Sequence, residues 1–206
     1  MKLTIFGATG STGRHLVQQA LRAGHEVTAF TRTPGGLPIQ HPGLRIAVGT
    51  LDQDAAMRDA VRGADAVISV LGLRNNEAGA VCTDGARGIL KAMGATGARR
   101  LIALSAYGAS ETRRDSLFIR FVRKVIAQKM RDKDNMEELV RGSGTDWTLV
   151  RPPALTDGKA TNSYRAGTGL KPGMTGRLSR ADLAAFILQE AAEGAYIRKA
   201  PLVMQA

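Results

Sequence analysis

The chain has 206 residues, 44% apolar and 23% charged, which is enough for one large domain and excludes a disordered chain. Its single cysteine, Cys82, excludes an internal disulfide and a four-cysteine zinc site, and three histidines confined to the first 41 residues disfavour a histidine metal site. Twenty-nine basic against eighteen acidic residues give +11, a field that attracts the phosphates of nucleic acid or of a nucleotide cofactor.

Lys2 to Phe6 is a short apolar run that predicts a buried strand ending at Gly7. A glycine-rich turn follows. Leu16, Val17, Ala20 and Leu21 then sit at helical spacing, and Gly24 stops the helix. Glu26 to Thr31 predicts a second strand and Leu44 to Val48 a third, with a proline- and glycine-rich loop between them. Asp52 or Asp54 is placed to cap a helix reaching about Arg62. Ala64 to Leu71 predicts a fourth strand, Val81 to Ala95 a helix, and Arg100 to Ser105 a fifth strand. A long basic helix is expected from about Asp115 to Val140. Trp147 to Arg151 predicts a sixth strand, stopped by Pro152 and Pro153. Residues 154–178 read mostly as loop. Ser179 then caps a last helix with Asp182 three residues on, and Ala200 to Met204 suits an edge strand.

Strands alternating with helices at this rhythm predict an α/β fold, a single Rossmann-type doubly wound parallel sheet with helices on both faces. No repeat or linker divides residues 1–206. Residues 107–135 and 154–178 are the expected substrate-side or lid segments. No run approaches the ~20 apolar residues of a membrane helix. The N-terminus reaches Gly7 too early for a signal peptide, so a reducing, cytoplasmic setting is expected. Monomer and homodimer both stay open.

Gly7-Ala8-Thr9-Gly10-Ser11-Thr12-Gly13 lies between the first strand and the first helix. Its spacing is G-x-x-G-x-x-G rather than G-x-G-x-x-G, but the physics is shared. One glycine permits the turn, another lets backbone approach a pyrophosphate, and the last lets helix pack on strand. The phosphates meet free N–H groups at the helix N-terminus, and Thr9, Ser11 and Thr12 add hydroxyls. At the end of the second strand an acidic residue would hold the ribose of NAD. Arg32 stands there instead, 19 positions after Gly13, and a guanidinium suits a 2′-phosphate. The expected cofactor is therefore NADP(H), with Arg14 and Thr33 assisting.

These motifs resemble a known family. The glycine turn, Arg32, Val70-Leu71-Gly72-Leu73-Arg74-Asn75, Gly85-Ala86-Arg87, Leu104-Ser105-Ala106, residues 143–153 ending Val150-Arg151-Pro152-Pro153, and Leu178-Ser179-Arg180-Ala181-Asp182-Leu183-Ala184 are similar to the atypical short-chain dehydrogenase/reductases. Within that superfamily the chain most resembles the NmrA-like NAD(P)H-binding proteins and the flavin reductase/biliverdin-IXβ reductase group. The resemblance implies that Thr9, Ser11 and Thr12 line the pyrophosphate and that Thr50 and Leu51 flank the adenine. It implies that Leu71, Gly72 and Arg74 border the cofactor, that Ser105 and Ala106 lie by the nicotinamide, and that Pro152 and Pro153 cover its other side. The chain departs from the pattern at Thr50, where many relatives carry Asp. It departs again at Ala154, where the biliverdin reductase group carries a histidine.

The Tyr-x-x-x-Lys pair of the standard superfamily is absent. Four residues after Tyr107, Tyr164 and Tyr196 stand Glu111, Thr168 and Ala200. Ser105 and Lys133 are the remaining catalytic candidates. Ser105 is suited to bond the nicotinamide carboxamide or a substrate carbonyl. Lys133 is suited to reach the nicotinamide ribose, or else to pair with Glu137 one turn on. Cys82 reads as a buried helix residue. Such a site suits hydride transfer to a small-molecule acceptor, a flavin or quinone, with solvent supplying the proton. The alternatives are an NADP(H)-sensing regulatory protein and an epimerase- or dehydratase-like enzyme. Aromatics make up 4% of the chain, too few for stacking platforms, so nucleic acid is disfavoured as a partner. Leu117, Phe118, Phe121, Val122, Val125, Ile126 and Met130 form an apolar stripe among basic residues. It suits packing on the sheet, a substrate lid, a dimer surface or an acidic-membrane contact.

Overall fold

The computed structural model describes residues 1–73, 79–173 and 175–206. Its centre is a six-stranded parallel sheet of β1 (Lys2–Phe6), β2 (Glu26–Thr31), β3 (Leu44–Val48), β4 (Ala66–Ser69), β5 (Arg100–Leu104) and β6 (Asp146–Val150). The strand order is β3-β2-β1-β4-β5-β6, the doubly wound order of a Rossmann fold. The helices are α1 (Ser11–Arg22), α2 (Asp54–Val61), α3 (Val81–Thr96), α4 (Leu117–Val125), α5 (Ala127–Arg141) and α6 (Arg180–Glu193).

The inner strands are mainly apolar because both faces are covered, whereas the edge strand β3 buries no residue fully. Leu3 and Ile5 of β1, Ile68 of β4 and Ile102 of β5 pack with Leu16 and Val17 of α1 and Leu183 and Ile187 of α6. Phe6, Val67, Leu101 and Leu149 point the other way, onto Met57 of α2, Ile89 and Met93 of α3 and Met136 of α5. The alternation along each strand thus divides the core into two layers.

Three local expectations are corrected. The helix expected over 115–140 is two helices, α4 and α5, preceded by a short 3-10 turn at Ser110–Arg114. The break falls at Ile126 (φ −112°, ψ 39°), in the β-branched pair Val125-Ile126, which favours helix weakly. The stripe from Leu117 to Met130 therefore does not pack as one face. Met130 is buried, whereas α4 buries no residue. Second, residues 154–178 are not mostly loop. Strands β7 (Ala154–Thr156), β8 (Tyr164–Gly167) and β9 (Arg177–Ser179) lie within or against them, β7 pairing with β9. β10 (Leu202–Gln205) pairs antiparallel with β8 and bridges onto the end of β6 at Arg151. Strands of three or four residues carry too few side chains to show a period. Third, neither Asp52 nor Asp54 caps α2. Its cap is Gln53, and Asp52 accepts a bond from the Thr50 hydroxyl. The predicted cap of α6 is present, with Ser179 Oγ accepting from the Asp182 N–H at 2.9 Å.

Sheet and helix are also joined by charge. Arg151, just past β6, and Glu137 of α5 are both buried, and the guanidinium donates to both carboxylate oxygens. Glu111 accepts two further bonds from Arg151 at 2.8 Å, and Arg141 joins it from solvent. The bonds from Arg151, with both arginine charges beside it, hold the Glu111 carboxyl at about 2, against burial that pushes it up.

Glu137→Ala strands the Arg151 guanidinium in the interior and is expected to cost about 3 kcal/mol in urea unfolding. Glu138→Ala, one residue along on the exposed side, is expected to cost under about 0.5 kcal/mol. Glu111 has a folded pKa below its ordinary value of 4.5, so its stabilisation is complete above that value and lost as pH falls toward about 2. Its side chain is 59% exposed, so Glu111→Gln should lower neutral stability by no more than about 1 kcal/mol. That gap should close on acidification, read by thermal melts across pH.

Candidate active site

The strand order reverses between β1 and β4, and the crevice outside their carboxyl ends is where such sheets receive ligands. Gly7 leaves β1 with φ +81°, and a Cβ there would lie 2.9 Å from the Val70 carbonyl carbon. A Cβ on Gly13 would lie 2.1 Å from the Gly7 oxygen, so α1 sits hard against the turn only because position 13 has no side chain. Gly10 caps α1. Among the described residues no side chain caps its first turn, and no acid stands in that turn. This helix end is therefore free to receive an anion.

Around the turn, Ser11 is exposed and Thr12 buried. Arg14 Nε bonds the Thr9 carbonyl at 3.1 Å rather than projecting away. A Cβ on Gly36 would lie 2.9 Å from Thr9 Cγ2, so the 3-10 turn Pro34–Gly36 folds over the glycine turn. Arg32 stands exposed at the end of β2, and no carboxylate pairs with it among the described residues. Thr33 follows it, its carbonyl held by the Thr31 hydroxyl at 2.7 Å.

Thr50 and Leu51 follow β3, with the Thr50 N–H on Gln53 Oε1 and its hydroxyl on Asp52. Leu71 and Gly72 follow β4; Arg74 lies outside the described residues. Two glycines of α3 bring these segments together. A Cβ on Gly85 would lie 2.3 Å from Leu71 Cδ1, and one on Gly88 would lie 2.7 Å from the Leu51 oxygen. Sequence reasoning gave Gly88 no role. A pair of glycines three apart inside a helix was the signal for a close approach.

Helix α5 supplies the floor. Lys133 Nζ donates to the carbonyls of Leu71, at 3.0 Å, and Leu104, tying the ends of β4 and β5 together. The expected Lys133–Glu137 pair is not formed, because Glu137 faces Arg151 on the buried side. Asp132 accepts from the N–H groups of Cys82 at 3.0 Å and Thr83 at 2.9 Å, and from the Thr83 hydroxyl. Burial pushes this carboxyl up, but the bonds it accepts hold it below its ordinary value. Asp132 thus caps α3 from another helix and closes that N-terminus to anions, while α1 stays open. It is a residue that sequence reasoning missed, since the contact spans 50 positions.

Ser105 follows Leu104, and its N–H bonds the Val150 carbonyl at 2.8 Å. Two residues on, the Tyr107 N–H bonds the Pro152 carbonyl at 2.9 Å, so Ala106 is held beside Pro152 and Pro153. Ser105 is 4% exposed, and its Oγ has no hydrogen-bond partner among the described residues. A buried hydroxyl without a partner is costly unless something arrives to bond it. Tyr107 is no substitute for the missing tyrosine acid. Burial, then its bond to Asp115, pushes its phenol well above the ordinary value. Cys82 is buried as expected, and burial pushes its thiol up. No group of metal-binding side chains occurs among the described residues.

The N-terminus of α1 without a side-chain cap, the missing Cβ at Gly7 and Gly13 and the orphan hydroxyl of Ser105 fit a dinucleotide laid along this edge. The NAD(P)H-binding family model matches residues 7–193. The chain belongs to that family. It is 31% identical over 150 residues to a (4-alkanoyl-5-oxo-2,5-dihydrofuran-3-yl)methyl phosphate reductase of Streptomyces griseus, a match covering 73% of this chain. That match spans 46% of the longer relative, less than half its length. Two solved structures share the fold over the whole chain. ChuY of Escherichia coli, an anaerobillin reductase, superposes at TM-score 0.86 with 21% identity and 97% of its length covered. A protein of Streptococcus pneumoniae, proposed to be an NADH-flavin reductase, superposes at 0.83 with 22% identity and 100% covered.

Gly13→Ala forces a methyl into the Gly7 carbonyl. It is expected to weaken nicotinamide dinucleotide binding at least about tenfold, measured by fluorescence titration. Gly94→Ala, in open space on α3, should leave binding unchanged.

Proposed function

We propose that this chain is an NADPH-dependent reductase that passes hydride to a flavin, a quinone or a similar planar acceptor. The observation that carries the reading is the buried, unpartnered Oγ of Ser105 at the carboxyl end of β5. Among the described residues it is a buried hydroxyl at this edge with nothing to bond, and a nicotinamide carboxamide or an acceptor carbonyl supplies what it lacks.

Each remaining role follows from position. The open N-terminus of α1, with Thr9, Ser11 and Thr12, receives the pyrophosphate. Arg32 is free to fork onto a 2′-phosphate, which makes NADPH the preferred cofactor. Thr50 and Leu51 flank the adenine, Leu71 and Gly72 border the cofactor, and Ala106, Pro152 and Pro153 wall the nicotinamide. Lys133 positions the ends of β4 and β5. Two of its donors go to those carbonyls, and its ammonium is suited to reach the nicotinamide ribose as well. When bound, NADPH supplies the hydride. With Tyr107 held on Asp115, the protein offers orientation rather than acid catalysis, which suits acceptors that take their proton from water. Relatives named for reducing a dihydrofuranone phosphate, an anaerobillin and a flavin support a reductase reading.

Loss of NADPH absorbance with FMN, riboflavin or a simple quinone tests the activity. Turnover that falls sharply with NADH establishes it, and none in protein shown to bind NADPH would replace it with a sensor. Arg32→Asp should weaken NADPH binding by about tenfold or more and NADH binding by far less. An equal loss for both removes Arg32 from the 2′-phosphate. Ser105→Ala should lower kcat about tenfold with NADPH affinity held within about twofold; an unchanged kcat removes its role.

A further inference from the structure

We propose that the outer face of α4 docks this protein onto an anionic lipid bilayer. Leu117, Phe121 and Val125 are 79%, 65% and 67% exposed, and Phe118 is 45% exposed. Spacings of four place the first three on one line, with Phe118 beside it, an apolar strip roughly 100° wide. Soluble proteins seldom leave such a strip bare without a use for it.

The helix is nonetheless fastened on its other side. Arg123 is bound to Asp134 and to the Gly108 carbonyl at 2.6 Å, and Ser116 caps the first turn. Ile119 leans on Gly108, where a Cβ would lie 3.1 Å from its side chain. The apolar strip is therefore held outward by contacts on the inward face.

Charge identifies the occupant. Residues 113–125 hold five basic side chains and one acidic, Asp115, which is engaged by Tyr107. Arg120 and Lys124 run along one flank of the strip, exposed, and no carboxylate pairs with them among the described residues. A second copy related by a twofold axis would set two such basic faces together, which repels. Nucleic acid would use the cations but leave Leu117 and Val125 bare. A bilayer uses both: the apolar strip enters the headgroup–acyl boundary and the basic flank stays at the phosphates. α4 is fastened to the segment that leaves β5 through Arg123 and the Gly108 carbonyl. The inference does not depend on the acceptor.

The test is sedimentation of the full chain with vesicles of phosphatidylcholine alone or mixed equally with phosphatidylglycerol. Binding to the mixed vesicles is expected to exceed binding to the neutral ones at least about tenfold and to weaken steeply with salt. Phe118→Ser with Phe121→Ser, and Arg120→Gln with Lys124→Gln, should each lower it about tenfold. These side chains leave the core untouched, so thermal melts should match the parent. No binding to anionic vesicles overturns the proposal, as does equal binding to neutral ones or binding indifferent to the phenylalanine changes. A dimer in light scattering that Phe121→Ser dissolves also overturns it and makes the strip a self-association surface.

Discussion

The ammonium of Lys133, seated on the carbonyls of Leu71 and Leu104, is the bond on which the carboxyl edge of the sheet depends. It belongs to a row of polar side chains on α5 that each reach a different element. Asp132 caps α3, Asp134 holds Arg123 of α4 and the Ser110 N–H, and Glu137 holds Arg151 beyond β6. Buried polar groups are tolerated when every member is bonded, and such networks then rigidify what they join. With the ends of β4, β5 and β6 held this way, Ser105 is presented in one position, and its hydroxyl has no partner among the described residues.

The same row divides the two helix N-termini near the crevice. α3 receives a carboxylate from Asp132, whereas α1 follows Gly10 with no acid in its first turn and no side-chain cap. An incoming phosphate therefore finds one free positive helix end, beside the close-packed glycines of the turn. Arg32 adds a fixed charge at the neighbouring strand end. Part of the chain's positive charge thus has a local address at the dinucleotide turn, and another part has one on α4.

Much of this was legible in residue order. The glycine turn, Arg32, the absence of a Tyr-x-x-x-Lys pair and the strand–helix rhythm are local patterns, and the fold class follows from them. Ser105 was legible as a strand-end hydroxyl, but its lack of a partner was not. Lys133 was visible on a helix, yet spacing suggested a bond to Glu137. Each of the two had a partner farther away, in the β-strand ends and in Arg151, 14 positions beyond Glu137. Asp132 gave no signal because a cap supplied from another helix has no spacing rule.

The sequence by itself determined what depends on near neighbours: the six central strands, the helices that cover them, and the turn where only glycine fits. The tertiary structure decided which polar side chains meet, where the basic helix breaks, and that the α4 part of its apolar stripe faces solvent while Met130 is buried. The reason is physical. Periodicity and turn chemistry act over a few residues, whereas the partner of a buried charge is chosen by geometry across the sheet.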